Sequence, residues 1–517
     1  MPILFLLLLL IAFPVCAQTV PQTYHVNRIA TCADGPGAGS EERPYCSVRY
    51  ASTIAVAGDT FLIHEGRYGD GPAKFLRSGT STAPITYRGI GDVVVGLFTD
   101  LVDEDFQAGP YPDVYSIGLN PAVKPSRVIQ TYFPPQLVDD PNPSIFTMVD
   151  TDGPLSMTQV TDYATLTARE GTWLYDAERL HVHAYGDRAP SSSATDIVIT
   201  PAGGALTVEA STQYNVFENV RVPYSGTTPA FSVLGSNNQF RNITIQSGPW
   251  ALRGGSNIVD GLRISHVIAR GETFLWHESG QGTALAVMGT GHSIRNVRFW
   301  HNWNSSISTS NSPGLMIEGL ESHGAPNHCG TVASNATLRN AVIWNCQDYM
   351  YMVEKTGYVL DHVAIPQGIL SEGLSAPAGP FTVRNSIFSG VIGYSLKSTP
   401  ELCQWESGSL MEFNVISTNA TIYHCADQQS YPIVTYQALC ESGALTGCMT
   451  IRNNIMVSDF RTVMVDGLWT ASLGDAWNVT LVPGSPAIGA ASDGLDIGPL
   501  RDDSQRPQVP QGLRIVH

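Results

Sequence analysis

The sequence predicts an all-β fold, a right-handed parallel β-helix in which the chain winds as a solenoid. The first observation behind this is a dipeptide, Arg, Asp or Glu followed by Asn, Gly or His, that recurs between residues 215 and 455. It stands at Glu218-Asn219, Arg241-Asn242, Asp260-Gly261, Arg295-Asn296, Glu318-Gly319, Arg339-Asn340, Asp361-His362, Arg384-Asn385 and Arg452-Asn453. The second is spacing, since most steps are roughly 22 residues, a period at which stacked repeats occur. The third is the alternation inside a repeat, as in Ser293-Ile294-Arg295-Asn296-Val297-Arg298-Phe299, which has the period of a strand rather than a helix. Such a unit winds once around a parallel coil, and stacked coils present a long flat face suited to an extended polymer.

Taken in order, residues 1–17 read as an export signal: an apolar run from Leu4 to Ile11, then Val15-Cys16-Ala17 before Gln18. The run is too short to span a bilayer, and no later stretch qualifies. Residues 18–98 form a cap and the first coils. Pro44 to Ala57 reads as a short amphipathic helix closing the open end of the solenoid, Gly58-Asp59 turns into the strand Thr60–His64, and a further strand follows from Ala83 to Gly89. Residues 99–195 break the rhythm with dense Pro and Asp, then read as a two-stranded hairpin from Gly171 to Pro190. This marks an inserted β-rich subdomain, and insertions in solenoids cluster on one face. His181 and His183 alternate on that hairpin and read as an exposed face of it. Residues 196–456 are the central coils, and 457–517 a closing segment.

Setting Cys16 aside with the signal leaves Cys32, Cys46, Cys329, Cys346, Cys403, Cys425, Cys440 and Cys448, an even set that suits disulfides in an exported protein. Nearest-neighbour pairing would staple four local loops, and no CxxC pair points to a metal instead. A net charge of −17 argues against nucleic acid and requires any polyanion to meet a local basic patch. Lysine is confined to Lys74, Lys124, Lys355 and Lys397.

Two segments carry a family likeness. "PYCSVRYASTIAVAGDTFLIHEGRYGDG" followed by "APITYRG" resembles the N-terminal cap of secreted bacterial parallel β-helix proteins of the pectin-lyase-like superfamily. Pro483-Gly484-Ser485-Pro486-Ala487-Ile488-Gly489 with Leu495-Asp496-Ile497-Gly498 is similar to that group's closing segment, with Gly489 where many members carry Asp. The resemblance implies a polysaccharide lyase or glycoside hydrolase, with calcium as a cofactor of many members. The Asp-rich motifs of polygalacturonases, the Asp-Pro-His of alginate epimerases and the Asn/Glu/Lys/Arg pattern of alginate and chondroitin lyases are not in the chain.

Aligning coils on the dipeptide brings Trp300, His323 and Trp344 into one register, with His301 and Asn345 one step further. Equivalent residues of adjacent coils stack about 4.8 Å apart. Trp300, His301, Asn302, Trp303, His323, His328, Trp344 and Asn345 are therefore expected in one patch of aromatics, imidazoles and amides, a composition suited to sugars. Aromatic and Asn ladders inside the coil are the competing reading. A second constellation, Gln347 to Lys355, carries Asp348, Tyr351, Glu354 and Lys355. β-Elimination on a uronate needs a base for the C5 proton and a cation for the carboxylate. Lys355 leads as base, His301 and His323 are alternatives, Tyr351 is the proton donor, and Arg298 is the carboxylate partner if it faces outward. A Glu354-Lys355 surface ion pair is the plainer reading. Asp348 and Glu354 are too far apart along one strand to serve as a hydrolase pair. The expectation is an exported monomer that cleaves an acidic polysaccharide by β-elimination; a glycoside hydrolase or a non-catalytic binder on the same fold are the alternatives.

Overall fold

The computed structural model describes residues 20–101, 106–120, 124–130, 155–184, 186–187, 189–190, 197–224, 229–265, 267, 283–300, 302, 305–310, 312–323, 330–332, 335–344, 350–352, 357–365, 374–375, 380–388, 391–392, 408–424, 426–458, 463, 481 and 483–498. Two long sheets run its length, of 16 and 12 strands, and one coil contributes a strand to each. In the first sheet Thr23–Val26, Thr60–Tyr68, Ile85–Val95 and Asn215–Val222 lead into the strands of the repeat, all parallel and ending at Thr450–Arg452. The chain is a right-handed parallel β-helix.

The repeated dipeptide has a conformational cause. Its second residue has a φ between 51° and 75° at every one of the nine positions, from Asn219 to Asn453. Only Gly, Asn and a few others adopt that left-handed state cheaply. At Gly261 a Cβ would also come within 2.5 Å of the Asn242 amide oxygen. One kinked residue per strand turns two consecutive side chains outward and resets the alternation, as in Ser293–Trp300, where Ile294, Val297 and Phe299 are buried. A tenth position, Glu412-Phe413, has the same left-handed φ, and lies in register between Arg384 and Arg452. Phe413 hid it from the sequence pattern.

The dipeptide's first residue forms a ladder whose charge alternates without a break. Arg88, Glu218, Arg241, Asp260, Arg295, Glu318, Arg339, Asp361, Arg384, Glu412 and Arg452 pair one to the next by register. Glu218 is held between Arg88 at 2.6 Å and Arg241 at 2.7 Å, and Asp361 lies 3.0 Å from Arg384. Like charges facing each other across strands repel, so alternation favours this register.

Inside, apolar rows stack coil on coil. Phe61, Tyr87, Phe217 and Phe240 are stacked at 5.2 to 5.3 Å, and Phe231 lies on the fully buried Trp250. Asn215, Asn238 and Asn257 form a buried ladder in which the Asn238 and Asn257 side-chain oxygens accept the backbone N–H of Asn215 and Asn238. A helix from Val48 to Ile54, capped by Ser47, closes the near end over the core; it is shorter than expected because Ala55 already leaves the helical conformation. A second helix, Ile433–Glu441, stands where the sequence reads as a central coil and closes the far end with Ile433 and Tyr436. Cys32–Cys46 and Cys440–Cys448 are bonded next to these caps, while Cys329, Cys346, Cys403 and Cys425 lie outside the described residues.

Strands between Thr99 and Thr200 pair only with one another, in sheets of five and four strands. The expected hairpin is Thr172–Asp176 with Arg179–His183. Its face is not exposed, however: His181 bonds the Tyr163 hydroxyl at 3.0 Å, and His183 bridges Leu166 O and Asp187, because the helix Tyr163–Ala168 packs over them. Ile129 and Val198 of these sheets pack on Val94, Phe98 and Tyr224 of the β-helix. The residues read as an export signal lie outside the described residues, and no described helix is long and apolar enough to cross a membrane.

Candidate functional site

Two residues past each left-handed position, side chains point outward along the first sheet, and their register defines one row across the coils. It runs Val94, Arg221, Thr244, Arg263, Arg298, Glu321, Val342, Ala364, Ile387 and Val415. The row changes character along its length. At its far end the apolar members are buried under the segment 483–498, where Ala487, Ala491 and Ile497 complete a second hydrophobic cluster. That strap is pinned by the Asn385 side chain and carbonyl, which accept from Ser492 N and Gly498 N at 2.8 Å each, and by Asp493, 3.5 Å from the buried His362. At its near end, Val94 lies under the inserted sheets, and Arg127 of the insertion donates to the Ser247 carbonyl.

Between those covers the row is charged. Arg298 Nε lies 3.2 Å from Glu321 Oε2, and the Glu321 side chain is fully buried although it stands on the outward row. The Arg298 guanidinium also sits 5.3 Å from the Trp300 ring centroid, in cation–π range. One coil below, Arg263 is held below the usual arginine range by burial first and by Arg298 second, with Glu321 opposing. Two guanidiniums, a carboxylate and a partly exposed indole thus share three adjacent coils, and a guanidinium fork beside an aromatic face can take a carboxylate and a sugar ring together.

Two residues further along, the backbone register aligns Gln246, Ser265, Trp300, His323 and Trp344. The backbone register therefore stacks Trp300, His323 and Trp344 on consecutive rungs. Asn302, expected among the sugar-binding groups, is instead fully buried: its oxygen accepts from Val267 N and its amide donates to Ile264 O. A polar side chain at that depth satisfies the backbone of the turn and has no face for a ligand. Tyr351 lies in the second sheet, in register with Thr331, not in the sheet of Trp300. His301, Trp303, His328, Asn345, Asp348, Glu354 and Lys355 lie outside the described residues. An alignment of the coils four residues past the dipeptide passes over Arg263; two residues past it, Arg263, Arg298 and Glu321 line up.

No family model matches the sequence, and no curated protein matches it. Solved structures do. XylC in complex with xylose aligns with a TM-score of 0.54 and 13% identity, covering 86% of this chain and 88% of that one. The likeness is one of fold, a parallel β-helix. A pectate lyase aligns with a TM-score of 0.42 and 15% identity over 93% of this β-helix and 97% of its own chain. An alginate lyase from Paenibacillus gives 0.34 and 11%, over 70% and 93% of the two chains.

Calcium, implied by the family resemblance, finds no fitting donor set among the described residues. Among the described residues no three or more His, Cys, Asp or Glu side chains converge, and the ladder carboxylates of Glu218, Asp361 and Glu412 are bonded to arginines.

Proposed function

We propose that the protein is an exported carbohydrate-active enzyme that cleaves a uronate-containing polysaccharide by β-elimination. The observation that carries this reading is the pairing of Arg298 with the partly exposed Trp300, and of both with Arg263 on the neighbouring rung. In this reading the indole stacks on a sugar while a guanidinium neutralises the uronate carboxylate, which acidifies the C5 proton. A base then removes that proton, the C4–O bond breaks, a C4=C5 double bond forms, and the departing oxygen is protonated. Lys355 is proposed as the base, with His323 or His301 in its place if the lysine is not the one, and Tyr351 as the proton donor. Trp303, Trp344, Asn345 and His328 would extend the sugar contacts, with Asp348 and Glu354 orienting the base. The Glu321 carboxylate is paired with Arg298, which favours elimination over a two-carboxylate hydrolysis.

The test is a screen of alginate, pectate, glycosaminoglycans and neutral glycans, following ultraviolet absorbance of the unsaturated uronate together with new reducing ends. Absorbance rising with reducing ends is the expected result. Reducing ends alone would make the protein a hydrolase, and retention of a glycan in a gel with neither signal would make it a binder. Lys355→Ala and His323→Ala should abolish turnover with the fold intact, and full activity in both would refute this placement of the base.

A further inference from the structure

The ladder that fixes the register also presents one sign of charge to solvent. Its arginines, Arg88, Arg241, Arg295, Arg339, Arg384 and Arg452, stand on every second rung, with one carboxylate between each two. In its ion pairs the arginine side chains are 43% to 58% exposed, and the carboxylates only 8% to 30%. The longer side chain carries its guanidinium past the acid on the next rung. Solvent therefore meets a column of cations at intervals of about 9.6 Å, about 48 Å long. The two central members are the least committed. Arg295 and Arg339 lie 3.8 and 3.9 Å from Glu318 and Asp361, and neither donates a hydrogen bond among the described contacts. Asp260, between Arg241 and Arg295, accepts instead from the Asn296 amide at 2.7 Å.

We infer that this column is a binding track for a linear acidic polysaccharide with a uronate at every unit or every second unit. It lies on the other side of the left-handed residue from Arg298, and it holds the polymer whether or not any bond is cleaved. An extended 1→4-linked pyranose unit is about as long as one rung, and in a two-fold chain alternate carboxylates point the same way. Such a chain, laid along the helix axis, sets one carboxylate over each guanidinium. Each guanidinium keeps N–H groups to spare, in the fork that matches a carboxylate. The ladder sets six arginines against five carboxylates, nearly neutral beside a molecular charge of −17, so long-range attraction is small. Recognition comes instead from the interval, and it accumulates over individually weak contacts as the ligand lengthens. A nucleic-acid strand carries its phosphates at a closer interval and does not match.

The test is calorimetric binding of an oligouronate length series in the cold, with ultraviolet absorbance checking that the chains stay uncut. Affinity should tighten about two- to fivefold for each pair of units added. It should level off at about eleven units, one per rung. Arg241→Gln, Arg295→Gln, Glu318→Gln and Arg339→Gln together remove the three central cations without stranding a carboxylate. Glu218 keeps Arg88, Asp260 keeps Asn296 and Asp361 keeps Arg384. This fourfold variant should bind the longest chains about tenfold more weakly or worse. Arg43→Gln with Arg49→Gln, exposed and off the ladder, makes the same net change of charge and should shift affinity less than about twofold. Affinity independent of length, equal affinity for the methyl ester or for single-stranded DNA, or wild-type affinity in the folded fourfold variant overturns the inference. If the fourfold variant does not fold, Arg241→Gln alone leaves Glu218 on Arg88 and should lose about two- to fivefold, and no loss overturns it. Ladder-dependent binding with no unsaturated product removes the β-elimination reading alone. Turnover with length-independent binding removes this inference alone.

Discussion

The left-handed residue in each strand determines which side chains the coil presents. Where Asn or Gly holds that position the kink costs little; another residue costs about 1 kcal/mol or more. Asn453 is exposed, and no side-chain hydrogen bond competes with its backbone role among the contacts described. Asn453→Ala should lower stability by about 1 kcal/mol in urea unfolding, and Asn453→Gly should change it by less than about half as much. Phe413 sits in the same conformation at φ 53°, so Phe413→Asn should raise stability. At the site, Arg298→Ala should reduce kcat/KM on an acidic glycan about a hundredfold. It also leaves the buried Glu321 carboxylate without that partner, so Arg298→Lys is the control that keeps the charge while losing the fork. The shared register of Trp300, His323 and Trp344 was legible beforehand, and the pairing of Arg298 with Glu321 was not. Asn302 was misjudged because a buried turn amide and an exposed binding amide look alike in sequence, and only depth separates them.

At the scale of single strands, the ladder and the histidines respond to solution conditions. Glu218 contacts two arginines whose own side chains are about half exposed, so screening discounts the pair. Glu218→Ala should cost about 1–2 kcal/mol at low salt and less at high salt. Glu218→Arg should cost more, because it sets three like charges on consecutive rungs. The strands Thr23–Val26 and Thr60–Tyr68 carry His25 and His64, whose ring nitrogens are 2.9 Å apart. Burial first and the neighbouring His25 second hold His64 below 6.5, with Glu41 opposing. His181 and His292 are lowered by burial as well. The folded state thus favours neutral imidazoles, so their contribution is fully present above pH 6.5 and is lost as pH falls through the depressed values. A thermal melt series should show Tm falling across that acidic window, and His64→Gln should flatten the fall. The contribution of Asp361 is lost in the same direction but later: burial works against its charge, yet bonds from His362, Arg384 and Asn385 hold it well below the usual range, so its contribution survives into much stronger acid.

For the molecule as a whole, stability in a solenoid passes from neighbour to neighbour, and the ends are where it can fray. The two described disulfides close loops with sequence separations of 14 and 8 beside the two capping helices. Reduction should therefore expose the ends first, seen as early hydrogen exchange in Thr23–Val26 and Ile433–Glu441 before the central coils. The architecture was legible because a parallel coil writes its period into sequence as both a left-handed residue and an alternation. The helix Ile433–Glu441 was not, since it is only nine residues long, follows a hairpin, and carries a stripe of just Ile433, Tyr436 and Cys440. The covers over the two ends of the outward row were not legible either. They depend on segments far apart in sequence meeting one row, and no local pattern records that.

Alternating sign along the ladder also fixes a parity. Excising a single turn of the solenoid would join two rungs of the same sign, Arg241 to Arg295 for instance, whereas excising two restores the sequence of signs. Shortened forms of this protein should accordingly fold when turns are removed in even numbers and fail, or slip register, when one is removed.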